Sequence, residues 1–505
     1  MSYDTEPIII NTDELNPPTP SGGLWDNRAA AYHMYDAPGV PKCSVAVTAY
    51  NRLEKTKYCV ECILNYTQDI DYELILIDNG SEDGTFEFFR SVAYEKKKII
   101  KISKNIGAGY AWTAARRSFS GKYLIVIPND TYVTKNWLSN LLKCYESNPE
   151  IGFVAPVSSN VSNLQEVKLE FSDFDDMQEK AAAFNKSDPS KWEERMRLIS
   201  IISIFSRPVL DIVGISDAAY LHDFIEDDFA VRLRRAGYKL MLCRDTWVCH
   251  DHDFRNLEDK DPAAFQASLE SGRRIYSEKH HGIDPWDDIN NFEFDLLAPL
   301  DTVAFHKENL SALTIEPRCG TPVLEIRNHL KRRDMTVTVS CAFTSQAKYY
   351  LDLQTVADYA ACDRLDFISD VFDENSFDII AFCEPVNIYS SGLLLLKRLY
   401  GLLKPDGILL FKVRNADGFM SLLRCCTLGM EYDHDLPSYL SINEMLDCLM
   451  DLGGCDISFS REFEFLTAAD QNVLFGMLRG LNPNAGEDEL TKLITKNHIF
   501  KVIKG

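Results

Sequence analysis

The chain has 505 residues, of which 46% are hydrophobic and 26% charged, with a formal net charge of −23. That length exceeds one compact core and predicts two or three domains. The acidic balance argues against a nucleic-acid partner, whose phosphates would be repelled. No uninterrupted apolar run is long enough to span a bilayer; the nearest, 201–213, is broken by Arg207, Pro208 and Asp211. The first residues, Met-Ser-Tyr-Asp-Thr-Glu, lack the basic and apolar regions of a signal peptide. The 14 cysteines show no regular metal-ligand spacing and read as reduced thiols, so a cytoplasmic location is expected. Cys59 and Cys62, at helical spacing, are expected to face a core, and the adjacent Cys425 and Cys426 make a poor zinc pair.

Residues 1–40 are rich in Pro, Asn, Asp and Gly, including Pro17-Pro-Thr-Pro-Ser-Gly-Gly23, and predict an irregular arm over the next domain. From 41 to 255, strand-like and helix-like segments alternate, which implies a mainly parallel sheet. A strand over Cys43–Ala49 runs into Tyr50-Asn51-Arg52. A second, 73–77, runs into Asp78-Asn-Gly-Ser-Glu-Asp-Gly84, and a third, 122–127, into Pro128-Asn129-Asp130-Thr131. Helices are expected over 54–66, 84–94 and 107–118, the last opened by Lys104-Asn105-Ile-Gly107-Ala-Gly109.

In open α/β sheets ligands bind at the carboxyl ends of the strands. Three polar clusters at three strand ends therefore point to one site, for a nucleotide and a metal. A divalent cation on a diphosphate needs one or two carboxylates, which makes Asp130 the candidate ligand. Small residues at Gly107 and Gly109 let backbone approach a nucleotide at a helix N-terminus. Asp78 suits hydrogen bonds from a base or ribose and suits capping its own turn equally well.

Further along, Phe224-Ile-Glu226-Asp227-Asp228 opens a helix that continues through Arg232 and Arg235 to Gly237-Tyr238. Three acids at a helix start can cap it, with the arginines balancing them, or can supply a catalytic carboxylate. Asp245-Thr-Trp-Val-Cys-His250 reads as the following strand, with His252 close behind. Residues 256–305 turn polar and read as a closing helix and a linker.

This order of motifs resembles the inverting family 2 glycosyltransferases of the GT-A fold. In that family the first strand ends in Tyr-Asn, the second in Asp-Asn-Gly-Ser-x-Asp-Gly, and the third in Asp-x-Asp-Thr; here Pro128 replaces the first acid. The resemblance implies an α/β, Rossmann-like GT-A domain over 41–255 that transfers a hexose from a nucleotide-diphosphate donor to a glycan or protein hydroxyl. It implies donor contacts from Thr48, Tyr50, Asn51, Arg52, Asp78, Asn105, Gly107 and Asn129. Tyr50 would stack on the base. Asp130 and His250 would hold Mn2+ or Mg2+, with His252 competing for the second place. Asp227 is favoured as the base, with Asp228 and Glu226 as alternatives. Arg116 and Arg117 stand where the family often has Asn, and a phosphate contact is the role open to them. Residues 155–163 and 174–200 are expected to frame the acceptor pocket; glycan chains and surface proteins such as flagellin both fit the family. Uridine and deoxythymidine diphosphate sugars are its commonest donors.

A second α/β pattern runs from about 306 to 505. Phe377-Asp-Ile-Ile-Ala-Phe382 and Leu402-Leu-Lys-Pro-Asp-Gly407 with the run that follows resemble strands four and five of class I methyltransferases, a Rossmann-like fold that binds S-adenosylmethionine. Ahead of them, Leu313-Thr-Ile-Glu-Pro-Arg-Cys-Gly320-Thr321 keeps one glycine of a cofactor loop, and the strand 336–340 ends without the acid that would hold a ribose. Residues 306–505 are therefore expected to form a methyltransferase-like domain without cofactor, serving homodimerisation or acceptor docking. Two other readings stay open: a bifunctional glycosyl- and methyltransferase, and a non-catalytic nucleotide-sugar-binding scaffold.

Overall fold

The computed structural model describes residues 6–11, 38–214, 216–217, 219–220, 223–252, 261–420, 423 and 442–505. Most of the arm expected over 1–40, and the Cys425-Cys426 pair, lie outside the described residues. The chain folds as two compact units, Met1–Asn290 and Asn291–Gly505.

The first unit carries β1 (Ile8–Ile10), β2 (Cys43–Ala49), β3 (Tyr72–Asn79), β4 (Lys97–Ile102), β5 (Tyr123–Pro128), β6 (Thr131–Tyr132), β7 (Ile151–Ser158), β8 (Trp192–Arg195), β9 (Ser203–Ser206) and β10 (Lys239–His250). Their order across the sheet is β1-β4-β3-β2-β5-β9-β7-β10-β6, with β8 also paired to β10. The strands from β1 to β5 are parallel, and β9 runs antiparallel between β5 and β7. Within the arm, three consecutive β-branched residues, Ile8–Ile10, pair with Ile100, Lys101 and Ile102 as a sheet edge.

Eight helices of this unit matter for the site: α1 (Leu53–Tyr66), α2 (Thr85–Ser91), α3 (Ala108–Ala115), α4 (Trp137–Glu146), α5 (Phe174–Phe184), α6 (Arg207–Val213), α7 (Ile225–Arg235) and α8 (Pro262–Lys279). β2 and β3 are buried along their whole length, as apolar runs covered on both faces must be. Alternate side chains serve the two faces. Val45, Val47, Leu74 and Leu76 join α1 and α4 through Cys59, Cys62, Ile63 and Trp137. Ala46, Ile75 and Ile77 join α3 through Trp112 and Ala115. Each such aliphatic side chain contributes roughly 1.5–3 kcal/mol on full burial. The two cysteines of α1 are core residues, as their spacing predicts.

Two helices stop earlier than the sequence pattern suggests. α2 ends at Ser91, where Val92 turns extended and the Lys97 ammonium donates to the carbonyls of Phe89, Arg90 and Val92. α3 ends at Ala115 and tightens into a 3-10 turn at Arg116–Ser118.

The second unit carries β11 (Asn309–Ile315), β12 (Thr336–Thr344), β13 (Tyr359–Cys362), β14 (Phe377–Pro385), β15 (Leu403–Arg414), β16 (Gly454–Phe463) and β17 (Thr495–Lys504), with a helix, α9 (Thr321–Lys331), crossing from β11 to β12. The order is β13-β12-β11-β14-β15-β17-β16. All neighbours are parallel except β17, which is antiparallel to β15 and β16. This is a Rossmann-like sheet, mainly parallel with one antiparallel strand inserted. Of the segment 256–305, α8 belongs to the first unit, while Leu296, Leu297, Leu300 and Val303 are buried in a core of the second.

β12 runs four residues beyond the strand expected over 336–340, because 341–344 are buried, 341–343 paired to both β11 and β13 and Thr344 to β13. No acid follows even there: the chain continues Thr344-Ser345-Gln346. Glu316, directly after β11, turns its buried carboxylate to this strand end and accepts from Thr344 Oγ1 at 2.9 Å and Ser345 N at 2.7 Å. Burial raises the Glu316 pKa, and those donors offset part of the rise.

Candidate active site at the strand ends of the first unit

The loops after β2, β3 and β5 are stitched together by their own polar side chains. Asn51 N donates to Ser81 Oγ at 2.8 Å, and Glu82 N donates to Asn51 Oδ1 at 3.0 Å. Asn51 and Arg52 both take left-handed φ values, 55° and 60°, which turn the chain sharply from β2 into α1. Asn129 donates to Asn51 O at 2.9 Å and Thr56 Oγ1 at 2.8 Å, so it braces the loop. Gly80, at φ 81°, sits so close to the backbone of Lys104 and Asn105 that a Cβ would meet them at 2.7 Å. Asn105 Oδ1 accepts from Asn79 Nδ2 and from Gly107 N, both at 2.9 Å, which shapes the turn into α3.

Two strand-end groups are left unsatisfied. Asp78 is fully buried; Oδ1 accepts from Ser81 N at 2.9 Å, and Oδ2 has no hydrogen-bond partner among the described residues. Burial raises its pKa, against the lowering pull of Ser81 and Lys101. Thr48 Oγ1 is likewise buried without a partner. A buried polar atom left so costs about 1–3 kcal/mol, which a bound ligand can relieve. Tyr50 is exposed at the same edge. Arg116 and Arg117 lie in the 3-10 turn that ends α3, whose start is the end facing the site.

Asp130, His250 and His252 form a cluster whose ligand atoms all lie within 4.8 Å of one another. The backbone brings them together: β6 and β10 pair antiparallel, with His250 opposite Thr131 and Asp251 N donating to Asp130 O at 2.8 Å. His252 Nδ1 lies 3.2 Å from Asp130 Oδ2, and His250 Nε2 lies 3.7 Å from Oδ1. The two imidazoles stack at 5.0 Å. His250 Nδ1 faces the Asn160 carbonyl at 3.0 Å, which makes it the donor nitrogen and directs the Nε2 lone pair to Asp130. Burial lowers the His250 pKa, favouring the neutral form a metal needs. Burial opposes charge on Asp130 too, but His252, His250 and Arg52 outweigh it and hold the carboxylate below its usual range. Arg52 Nη1 is 2.9 Å from Asp130 Oδ2, so Arg52, expected to contact the donor, pairs with the carboxylate of this cluster.

His252, read from the sequence as a rival of His250, joins it. The signal was in the spacing: in an extended chain residues two apart share a face, and His252, two residues past the end of β10 at His250, stacks its ring on that of His250. Asp251, between them, turns away to accept from Tyr132 Oη at 2.8 Å.

A cavity of about 410 Å³ adjoins this cluster and includes His250, Thr48, Glu226 and Asp227 in its lining. The three acids of α7 separate because successive helical residues point about 100° apart. Glu226 and Asp227 line the cavity, but Asp228 does not. Asp228 is buried beneath Arg232 Nε at 2.8 Å, His280 Nε2 at 2.9 Å and Lys279 Nζ at 2.6 Å, an anchor between α7 and the end of α8. Burial opposes its charge, yet these partners hold its pKa far below the usual range. Asp227 is buried with Arg197 Nε 2.9 Å from Oδ1; burial raises its pKa and Arg197 pulls it back. Arg197, thirty residues upstream, was not singled out in the sequence, and no local pattern marks it. The loop expected to frame a pocket does so through Asn160, Val161 and Ser162. Of 174–200 only Arg197, Ile199 and Ser200 reach the cavity, while α5 packs Met177 and Ala181 into the core.

Residues 44–201 match the family model for Glycosyl transferase family 2. Over 107 residues the chain is 31% identical to glycosyltransferase YfnE of Bacillus subtilis, covering 21% of this chain and 27% of that one. The chain spans between 17% and 35% of the length of the first four curated relatives it matches. Among solved structures it is similar to the mannosyltransferase PcManGT of Pyrobaculum calidifontis, solved with GDP-Man and Mn2+, at 15% identity and a TM-score of 0.37, covering 56% of this chain and 85% of that one. It is also similar to a SAM dependent methyltransferase of Archaeoglobus fulgidus, at 16% identity and a TM-score of 0.31, covering 46% and 99%. The family match lies across β2 to β8 of the first unit and takes in the strand ends that carry Thr48, Asp78 and Asp130.

Proposed function

We propose that the first unit is a metal-dependent, inverting glycosyltransferase. One observation carries this reading: His250 belongs both to the Asp130–His250–His252 cluster and to the lining of the cavity that holds Asp227 and Glu226. The donor set of one carboxylate and two imidazoles fits Mn2+, and Mg2+ with more water. Asp130, His250 and His252 would hold the ion, which supplies positive charge to the departing nucleoside diphosphate.

The chain's own residues supply the rest. Asp78 and Thr48 offer their unsatisfied atoms to the nucleotide, and Tyr50 its ring. Asn51, Asn105 and Asn129 spend their side chains on shaping the donor loops, and Gly107 its backbone N–H. The acceptor oxygen bonds to the anomeric carbon as the carbon–phosphate oxygen bond breaks, and its proton passes to Asp227, which Arg197 holds in place. Glu226 is the alternative base, and Asp228 is an anchor. The sugar goes to a glycan or protein hydroxyl. The protein is read as cytoplasmic, in keeping with the free cysteines among the described residues. The second unit is read as a docking or dimerisation domain without S-adenosylmethionine, because Glu316 takes up the strand end where a ribose would be held.

A thermal-shift panel of UDP, dTDP, GDP and their sugars, with Mn2+, Mg2+ or chelator, tests this. A ligand that binds the native state raises its stability with concentration. A metal-dependent shift with one nucleotide is expected. Silence to every nucleotide, with a shift for S-adenosylmethionine, would move the activity to the second unit.

A further inference from the structure

Trp286, in the Asp284-Pro-Trp sequence after α8, completes the wall of the cavity beside the α7 acids. We infer that Trp286 is the stacking platform for a neutral sugar ring of the acceptor, so that this site glycosylates a saccharide. The inference rests on the glycosyltransferase reading above.

The wall is built in steps. Phe224 precedes α7 with a left-handed φ of 67°, two residues before Glu226. Its ring seats against Gly272 of α8, where a Cβ would meet Phe224 Cδ2 at 2.6 Å. The Trp286 indole then lies 5.4 Å from the Phe224 ring. The Arg273 guanidinium sits 5.0 Å from the indole centroid, itself held by Asp284 and Asp287. Asp284 Oδ1 accepts from Trp286 N at 2.9 Å and Asp287 N at 2.8 Å, which fixes the turn. The indole is thus held at a set distance from the acid-bearing helix, with 36% of the residue exposed.

This arrangement meets both chemistries of a pyranose. The C–H face of a sugar packs on an aromatic plane, and its hydroxyls donate to carboxylates. Asp223, Glu226 and Asp227 line the cavity with one guanidinium, Arg197, itself paired to Asp227. That acidic lining favours hydroxyl donors and repels a uronate, sulfate or phosphate.

The test uses the full chain with Mn2+ and whichever nucleoside diphosphate stabilises it. The probes are p-nitrophenyl glycosides of glucose, galactose, mannose, N-acetylglucosamine and N-acetylgalactosamine, the hexuronic acids, and a Ser/Thr peptide. A neutral glycoside is expected to bind and to change indole fluorescence. In Trp286→Ala its affinity falls at least tenfold, and Trp286→Phe recovers most of the affinity without the fluorescence change. The nucleotide shift, measured on each variant, reports that the domain is folded. Equal glycoside affinity in the alanine variant, or binding of the peptide or uronates in place of neutral glycosides, overturns the inference. A nucleotide shift with no glycoside bound also overturns it and leaves the donor site standing; no nucleotide shift in the wild type defeats the glycosyltransferase reading itself.

Discussion

At the carboxyl ends of β2 and β3, Thr48 Oγ1 and Asp78 Oδ2 are buried with no hydrogen-bond partner among the described residues. At the corresponding edge of the second unit the buried acid, Glu316, has both oxygens engaged by Thr344 and Ser345. Both edges belong to mainly parallel sheets, where the strand ends form the natural ligand crevice. The first leaves polar groups for something outside the protein to satisfy, and it gathers Asp130, His250 and His252 beside a cavity. At the second, Glu316 spends both oxygens on the neighbouring strand end. A sheet of this class therefore predicts where a ligand would sit, and the hydrogen-bond balance of the strand ends tells which polar groups remain for one.

The contrast can be broken most sharply at Asp130. Asp130→Ala is expected to reduce transfer by about a thousandfold or more and to remove the Mn2+-dependent part of the nucleotide shift. Normal turnover in this variant would return the first edge to the status of the second. Asp227→Asn is expected to slow transfer by roughly 10²–10⁴ while keeping the nucleotide shift, as loss of a base does. Burial raises the Asp227 pKa, so wild-type rate should climb with pH through that raised value and then level. Arg197→Gln removes the guanidinium that pulls the pKa down, and the inflection should move to higher pH.

A smaller effect separates two ligands from three. His252→Ala should weaken Mn2+ by about tenfold, in the range that metal-site losses cost, while an unchanged midpoint in a manganese titration would leave Asp130 and His250 as the pair. Asp228→Asn tests the anchor rather than the chemistry. It should cost about 3 kcal/mol of stability at neutral pH by urea titration, because it strips a buried charge network. The Asp228 pKa is depressed below the unfolded value of about 3.9, so this stabilisation is complete at neutral pH and fades as pH falls below that value. The two proteins should converge in acid. Glu316→Gln, the smallest change, should cost about 1 kcal/mol and leave calorimetry with S-adenosylmethionine without heat. Tight binding there would show that the second edge is open after all.

Much of the first unit is legible in its residues. The strands at β2, β3 and β5 announce themselves as apolar runs ending in Tyr50-Asn51, Asp78-Asn-Gly and Asn129-Asp130, and each lies where its pattern places it. In the sequence His252 reads as a rival of His250, although their two-residue spacing carries the signal that they share a side. Other features were not legible. Three consecutive acids look alike on paper; only the packing of α7 against the cavity and α8 turns Asp227 toward Arg197 and Asp228 toward His280. Trp286 stands in a polar stretch that reads as linker, and its place beside Phe224 depends on Gly272, more than forty residues beyond Phe224.

What the residues alone determine here is local: hydrophobic period, turn chemistry and the kind of groups that close each strand, all set by neighbours within a few positions. The tertiary structure decides which of those groups share a space, since a parallel sheet brings distant strand ends together and sends adjacent helical side chains apart. It also decides which carboxylates are already satisfied. Asp78 and Glu316 are both acids just at a strand end in sequence; one oxygen of the first is left buried and unpartnered, and both of the second are taken, because only the second has a hydroxyl and an amide from the neighbouring strand within reach.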